Sequence, residues 1–167
     1  MSEIPYPERH RITAALGWME LGRPDEAEQE LEPLVKQADP HPDVLEVQWA
    51  ILAAQQRWQE AVDVADRLIR CAPSRPSGWL HRAYALRRAE VGGLERAWEA
   101  LLPAAAHFPR DVLVAYNLSC YACRMGRLDE ARMWLRRAFD MGDPETVKRM
   151  ALQDPDLQEL HGELQDW

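Results

Sequence analysis

The residues with the most chemical potential in this chain are Cys120 and Cys123, spaced as Cys-Tyr-Ala-Cys. Such a pair becomes reactive when a helix N-terminus or a neighbouring cation lowers a thiol pKa. Here the motif falls in the middle of a stretch with helical periodicity, where neither influence is expected. A zinc site needs further ligands, and the sequence offers no second Cys-x-x-Cys and no paired histidines. His10, His41, His81, His107 and His161 are scattered, without the HxxxH or HExxH spacing that puts two ligands on one helix face. The GxGxxG and GxxxxGK loops that cradle phosphates and the GxSxG nucleophile elbow do not occur. Asp25, Glu26, Glu28, Glu30 and Glu32 have the spacing of a solvated helix face. The expectation is a non-enzyme with no cofactor and no metal. Cys120 and Cys123 are then a free pair of small polarisable side chains on a helix, and Cys71 is buried packing at a helix end. A Cys-x-x-Cys redox or metal protein is the most distant alternative.

The elements that carry these residues repeat. The dipeptides Glu26-Ala27, Glu60-Ala61, Arg96-Ala97 and Glu130-Ala131 place their alanines 34, 36 and 34 residues apart. Four residues after each alanine stand Leu31, Ala65, Leu101 and Leu135, and three further on Leu34, Leu68, Ala104 and Ala138, the i, i+4, i+7 stripe of an amphipathic helix. Each unit stops at proline (Asp39-Pro40, Pro73, Pro109, Asp143-Pro144), which lacks the backbone donor and blocks helix continuation. A break precedes each dipeptide, at Gly22 to Asp25, Gln56 to Trp58, Gly92-Gly93 and Gly126 to Asp129, with another apolar helical stretch before it. Each unit is thus read as a helical hairpin. Glycine suits the left-handed residue that ends the first helix, and the second unit has none.

Composition agrees with an all-helical, folded chain: 167 residues, 47% apolar, rich in Ala and Leu. A net charge of −8 works against binding nucleic acid phosphates or anionic lipid surfaces. No apolar run approaches the roughly 20 residues of a membrane span. The opening Met1 to His10 is too polar for a signal peptide, and three cysteines are too few for a secreted disulfide scaffold, so the expected location is cytoplasmic.

Hairpins of about 34 residues with small residues at fixed places resemble the tetratricopeptide repeat (TPR) family. The best match is Tyr116 to Ala122, leading through Gly126-Arg127-Leu128-Asp129-Glu130-Ala131 to Leu135 and Ala138. The resemblance implies an all-α, right-handed superhelical solenoid forming a single domain. Its repeats would run 8–41, 42–75, 76–110 with a two-residue insertion near Val91-Gly92-Gly93, and 111–144. Residues 145–167 form capping helices, expected at Glu145 to Leu152 and Asp156 to Leu164, with Leu157, Leu160 and Leu164 covering the last repeat. Trp18, Trp79, Trp98 and Trp134 fall on apolar stripes and are read as core, and Trp167 as a lid on the cap.

The resemblance also implies that the first helix of each hairpin lines a concave groove. Helical spacing then selects Ile12, Leu16, Met19; Glu46, Ala50; Leu80, Tyr84, Arg87, Arg88; and Tyr116, Cys120, Arg124, with Asn117 and His81 at the flanks. Tyrosine and arginine are the residue types enriched at binding hot spots. The expected function is a scaffold that binds a protein or peptide partner with acidic and apolar residues. The rival is a self-assembling module, a weak homo-oligomer, because Glu20 to Glu32 is acidic and Arg75 to Arg96 is basic.

Overall fold

A computed structural model describes residues 6–167; residues 1–5, half of the opening segment read as too polar for a signal peptide, lie outside them. The described residues contain no strand. They form α1 (Tyr6–Glu20), α2 (Pro24–Val35), α3 (Pro42–Ala54), α4 (Trp58–Cys71), α5 (Pro76–Leu86), α6 (Leu94–Leu101), α7 (Ala104–His107), α8 (Val112–Arg124), α9 (Leu128–Met141) and α10 (Pro144–Gln153), then 3₁₀ helices at Pro155–Leu160 and Leu164–Asp166. The chain divides into two compact units, the first ending at His81 and the second Arg82–Trp167.

In the first unit α1 packs on α2, α2 on α3 and α3 on α4. Ala27 and Ala61 have no exposed surface, as expected of the small residue at the closest approach of paired helices. Around Ala27 the core gathers Ile12, Ala15, Leu31, Leu34, Val44, Val47 and Ile51. Gly78 lets α5 come close to α4: a Cβ there would stand 3.0 Å from Ile69 Cγ1.

The turn after α1 is a Schellman closure, with Arg23 N–H on the Trp18 carbonyl at 2.9 Å, Gly22 N–H on Met19 at 3.0 Å, and Gly22 at φ +69°. The turn after α3, where glycine is missing, closes identically: Arg57 N–H reaches Leu52 O at 2.9 Å and Gln56 N–H reaches Ala53 O at 3.1 Å. Gln56 itself adopts φ +58°, a conformation costing a side-chain-bearing residue about 1–2 kcal/mol. Two satisfied helix-end carbonyls, each worth about 1 kcal/mol, offset it. Arg57 then ties the junction, donating from Nε and Nη2 to Glu60 and from Nη1 to Glu28.

In the second unit α8 packs on α9 and α6, and Ala97 and Ala131 are again fully buried. Trp98 and Trp134 meet edge to face, with centroids 6.4 Å apart. The third stripe, expected to run on to Ala104, is interrupted: α6 stops at Leu101, Pro103 intervenes, and Ala104 opens the four-residue α7. The cause is proline's missing donor and its clash with the preceding turn. The third turn is wide, as its insertion implied, and closes through Gly93 N–H on Leu86 O at 2.9 Å. A Cβ on Gly92 would fall 1.8 Å from that carbonyl, so only glycine fits.

The tail departs from the sequence reading. Asp143 and Asp154 cap the two tail helices, accepting from Thr146 N and Asp156 N at 2.9 Å. The second capping helix, however, is 3₁₀ rather than α and ends at Leu160. Leu157, Leu160 and Leu164 are completely buried, and the 3₁₀ segment folds back across α8 as well as touching α9 and α10. Trp167 packs edge-on against Phe139 of α9, centroids 5.5 Å apart.

Candidate functional site

In the first unit the residues expected in the groove take unequal roles. Ile12 belongs to the core, with Met19 packed against that core, while Leu16 is 44% exposed. Glu46 of α3 accepts from Arg75 Nη1 at 3.1 Å and from Ser77 Oγ at 2.8 Å, which occupies one of its carboxylate oxygens. Ala50 and Leu80 are half-buried. His81 stacks on Trp49, ring centroids 3.9 Å apart and nearly parallel, and burial pushes its pKa down, towards the neutral ring.

In the second unit Tyr84, Arg87, Arg88, Tyr116, Cys120 and Arg124 do come together, and the chain's own tail lies on several of them. Arg87 grips Asp156 bidentately, with Nη2 to Oδ1 at 2.7 Å and Nη1 to Oδ2. Arg124 Nε stands 3.7 Å from the same carboxylate. Tyr116 donates its hydroxyl to Asp154 Oδ2 at 3.1 Å, and Cys120 Sγ lies 3.5 Å from that oxygen. Arg87 holds the Asp156 carboxyl below its ordinary range, and the ion pair holds Arg87 above its own. Burial pushes the Tyr116 hydroxyl and the Cys120 thiol far up. Tyr116 and Cys120 are buried, 6% and 3% exposed, so they form the floor under the tail and not an open groove wall.

What stays accessible on this face is Tyr84, 40% exposed, with Arg88 and Arg124 beside it. The Arg88 guanidinium sits 3.5 Å from the Tyr84 ring centroid and donates to the Tyr84 carbonyl at 3.1 Å. Asn117 is half-buried and spends its amide on the Leu113 carbonyl at 2.9 Å.

Which force keeps the tail in place follows from magnitudes. Each fully buried leucine contributes about 1.5–3 kcal/mol. The Arg87–Asp156 pair, with each side chain about four-fifths buried, contributes about 1.5–3 kcal/mol. Three leucines therefore outweigh the ion pair, and Asp154 and Asp156 set the register of a segment that apolar burial anchors.

Cys120, Asp154 and Asp156 bring one donor atom each within 4.8 Å of one another. A divalent ion there would have to displace the Arg87 fork and deprotonate a thiol that burial keeps protonated. The donor set is chemically that of a hydrogen-bonded ion pair. All three cysteines are free, and Cys71 is exposed rather than packed as expected, because it sits on the last turn of α4 where the apolar stripe has ended.

Sequence reasoning missed Asp154 and Asp156. The signal available was the acidic Asp-Pro-Asp run itself, read only as a helix start. Its partner Arg87 lies 69 residues away, beyond any local pattern.

Successive helical hairpins with alanines at each closest approach and no strand among the described residues define a helical-repeat protein. No family profile matches the chain, and no curated protein sequence matches it. Solved structures match its fold. The crystal structure of MamA superposes with a TM-score of 0.70, covering 83% of this chain and 80% of that one at 15% identity. MamA 41-end from Desulfovibrio magneticus RS-1 gives 0.69 over 98% and 96% at 18% identity. TTC0263, a thermophilic TPR protein of Thermus thermophilus, gives 0.69 over 96% and 100% at 20% identity. The chain has the all-α fold of a TPR-type solenoid protein. No helix among the described residues is long and apolar enough to cross a membrane.

Proposed function

We infer that this chain is a non-catalytic scaffold that binds a protein or peptide partner, and that the partner presents carboxylates and apolar side chains to the Tyr84, Arg88 and Arg124 face. The observation that supports this reading is the seating of Asp154 and Asp156 on Arg87, Arg124 and Tyr116. Side chains of this face already hold an acidic segment in cis, and Arg88 and Tyr84 extend the same chemistry outside the tail. A chain of net charge −8 repels an acidic peptide everywhere except at such a local cluster, so binding there is a specific event.

The test is a titration of a labelled peptide of alternating aspartate and leucine against wild type, Arg88→Ala/Arg124→Ala and Tyr84→Ala at 0.1 M and 1 M salt. A dissociation constant on the order of micromolar, about −8 kcal/mol, is expected for wild type. Charge contacts fade as the Debye length falls from about 10 Å to about 3 Å, so the arginine variant should bind more weakly only at low salt. The tyrosine variant should lose affinity at both. Equal binding by all three proteins overturns the reading.

A further inference from the structure

The first unit carries a cavity of about 340 Å³ between α2 and α3, of different chemistry from the face just described. Leu31 and Val35 of α2 with Ile51 and Leu52 of α3 give it apolar walls. Asp25, Glu28 and Glu32 stand around it, and its lining contains no basic residue. The neighbouring cations do not neutralise this set. Arg57 is shared between Glu28 and Glu60, and Lys36 pairs with Glu32 alone, so four carboxylates face two cations. Among the described residues Asp25 receives only the Gln55 amide, at 2.9 Å. Gln48 is also in the lining.

We propose that this cavity is a docking site for a lysine side chain of a partner protein. The match is one of chemistry: a four-carbon stem suits the Leu31, Val35, Ile51 and Leu52 walls, and an ammonium with three donors suits the carboxylates around the mouth. At about 340 Å³ the cavity lies at the low end of ligand clefts, the size for one projecting side chain with its flanks and not for a whole helix. The site is independent of the arginine–tyrosine face, which lies in the other unit.

The experiment uses a short labelled peptide with one central lysine flanked by leucines. Two derivatives accompany it, one with the lysine acetylated and one with 2,3-diaminopropionate, which keeps the charge and removes the stem. The lysine peptide should bind at least tenfold tighter than either. Asp25→Asn/Glu32→Gln should abolish that preference, while Glu99→Gln/Glu130→Gln, exposed acids of the other unit with the same charge change, should leave it intact. Equal binding of the diaminopropionate peptide reduces the effect to charge attraction and overturns the proposal, as does equal loss in both double variants. Sedimentation without peptide supplies the remaining arm. A self-association that Asp25→Asn/Glu32→Gln removes would assign the cavity to a second copy of this chain and also overturn the proposal.

Discussion

The two units differ in the chemistry of the surfaces that their helices carry. In the first, the residues that helical spacing selects are aliphatic or already paired, and a recess lies between α2 and α3 under an acidic rim. In the second, the selected residues are mainly arginine and tyrosine, and an acidic tail from the same chain rests on Arg87 and Tyr116. Each begins from the same hairpin with an alanine at its centre, so the difference arises in the variable positions around it. Repeats fix where a surface is, and the side chains between them decide the sign of charge that it accepts.

The tail offers the strongest way to break this comparison. Leu157→Ala or Leu160→Ala should each destabilise the second unit by about 2–5 kcal/mol, the cost of a cavity under a fully buried leucine, and urea unfolding measures it. Leu16→Ala in the first unit, where the leucine is 44% exposed, should change the midpoint little. Comparable losses for Leu16 and Leu157 would contradict the assignment of the tail as core.

Smaller but common to both units is the cost of enlarging the central alanine. Ala27→Leu and Ala131→Leu should each cost about 1–3 kcal/mol, because neither position has room for further atoms. An unchanged midpoint for either would mean that the paired helices can part there.

The Asp156 pair should weigh less than the tail leucines, about 1.5–3 kcal/mol at neutral pH, and its pH dependence carries a sign. Folding lowers the Asp156 pKa through Arg87, so the pair contributes fully above the unfolded value of about 3.9 and is lost as the pH falls through the folded value. Asp156→Asn should therefore be less stable than wild type at pH 7, and the gap should close below about pH 4. A gap that persists at pH 2 would show that the carboxylate acts by shape alone.

The least perturbing test is chemical. An alkylating reagent under native conditions should reach the exposed Cys71 and leave Cys120 and Cys123 until the protein unfolds. Burial pushes all three thiols up, so the order follows exposure and not acidity.

The hairpins were legible because Ala27, Ala61, Ala97 and Ala131 answer a local requirement that recurs at a fixed spacing. The turn at Gln56 was not, since nothing in glutamine signals a left-handed conformation; its neighbours impose it through the hydrogen bonds of Arg57 and Gln56. The break at Pro103 was visible and was overridden by the stripe around it. Leu157 and Leu160, three apart, fit an α turn and a 3₁₀ turn equally well, and packing on α8 decided between them. At the candidate face, Arg87, Tyr116, Cys120 and Arg124, which helical spacing puts on one side, all meet Asp154 or Asp156. Their occupation by Asp154 and Asp156 depends on where a distant tail returns, which no spacing rule contains.

If the two units accept opposite charge, amide hydrogen exchange in the presence of each probe peptide separates them. The aspartate–leucine peptide should slow exchange in α5 from Arg82 onward and in the last turns of α8, and leave α2 and α3 unchanged. The lysine peptide should do the reverse. Protection of α2 and α3 by the acidic peptide, or of the same amides by both peptides, would contradict the claim.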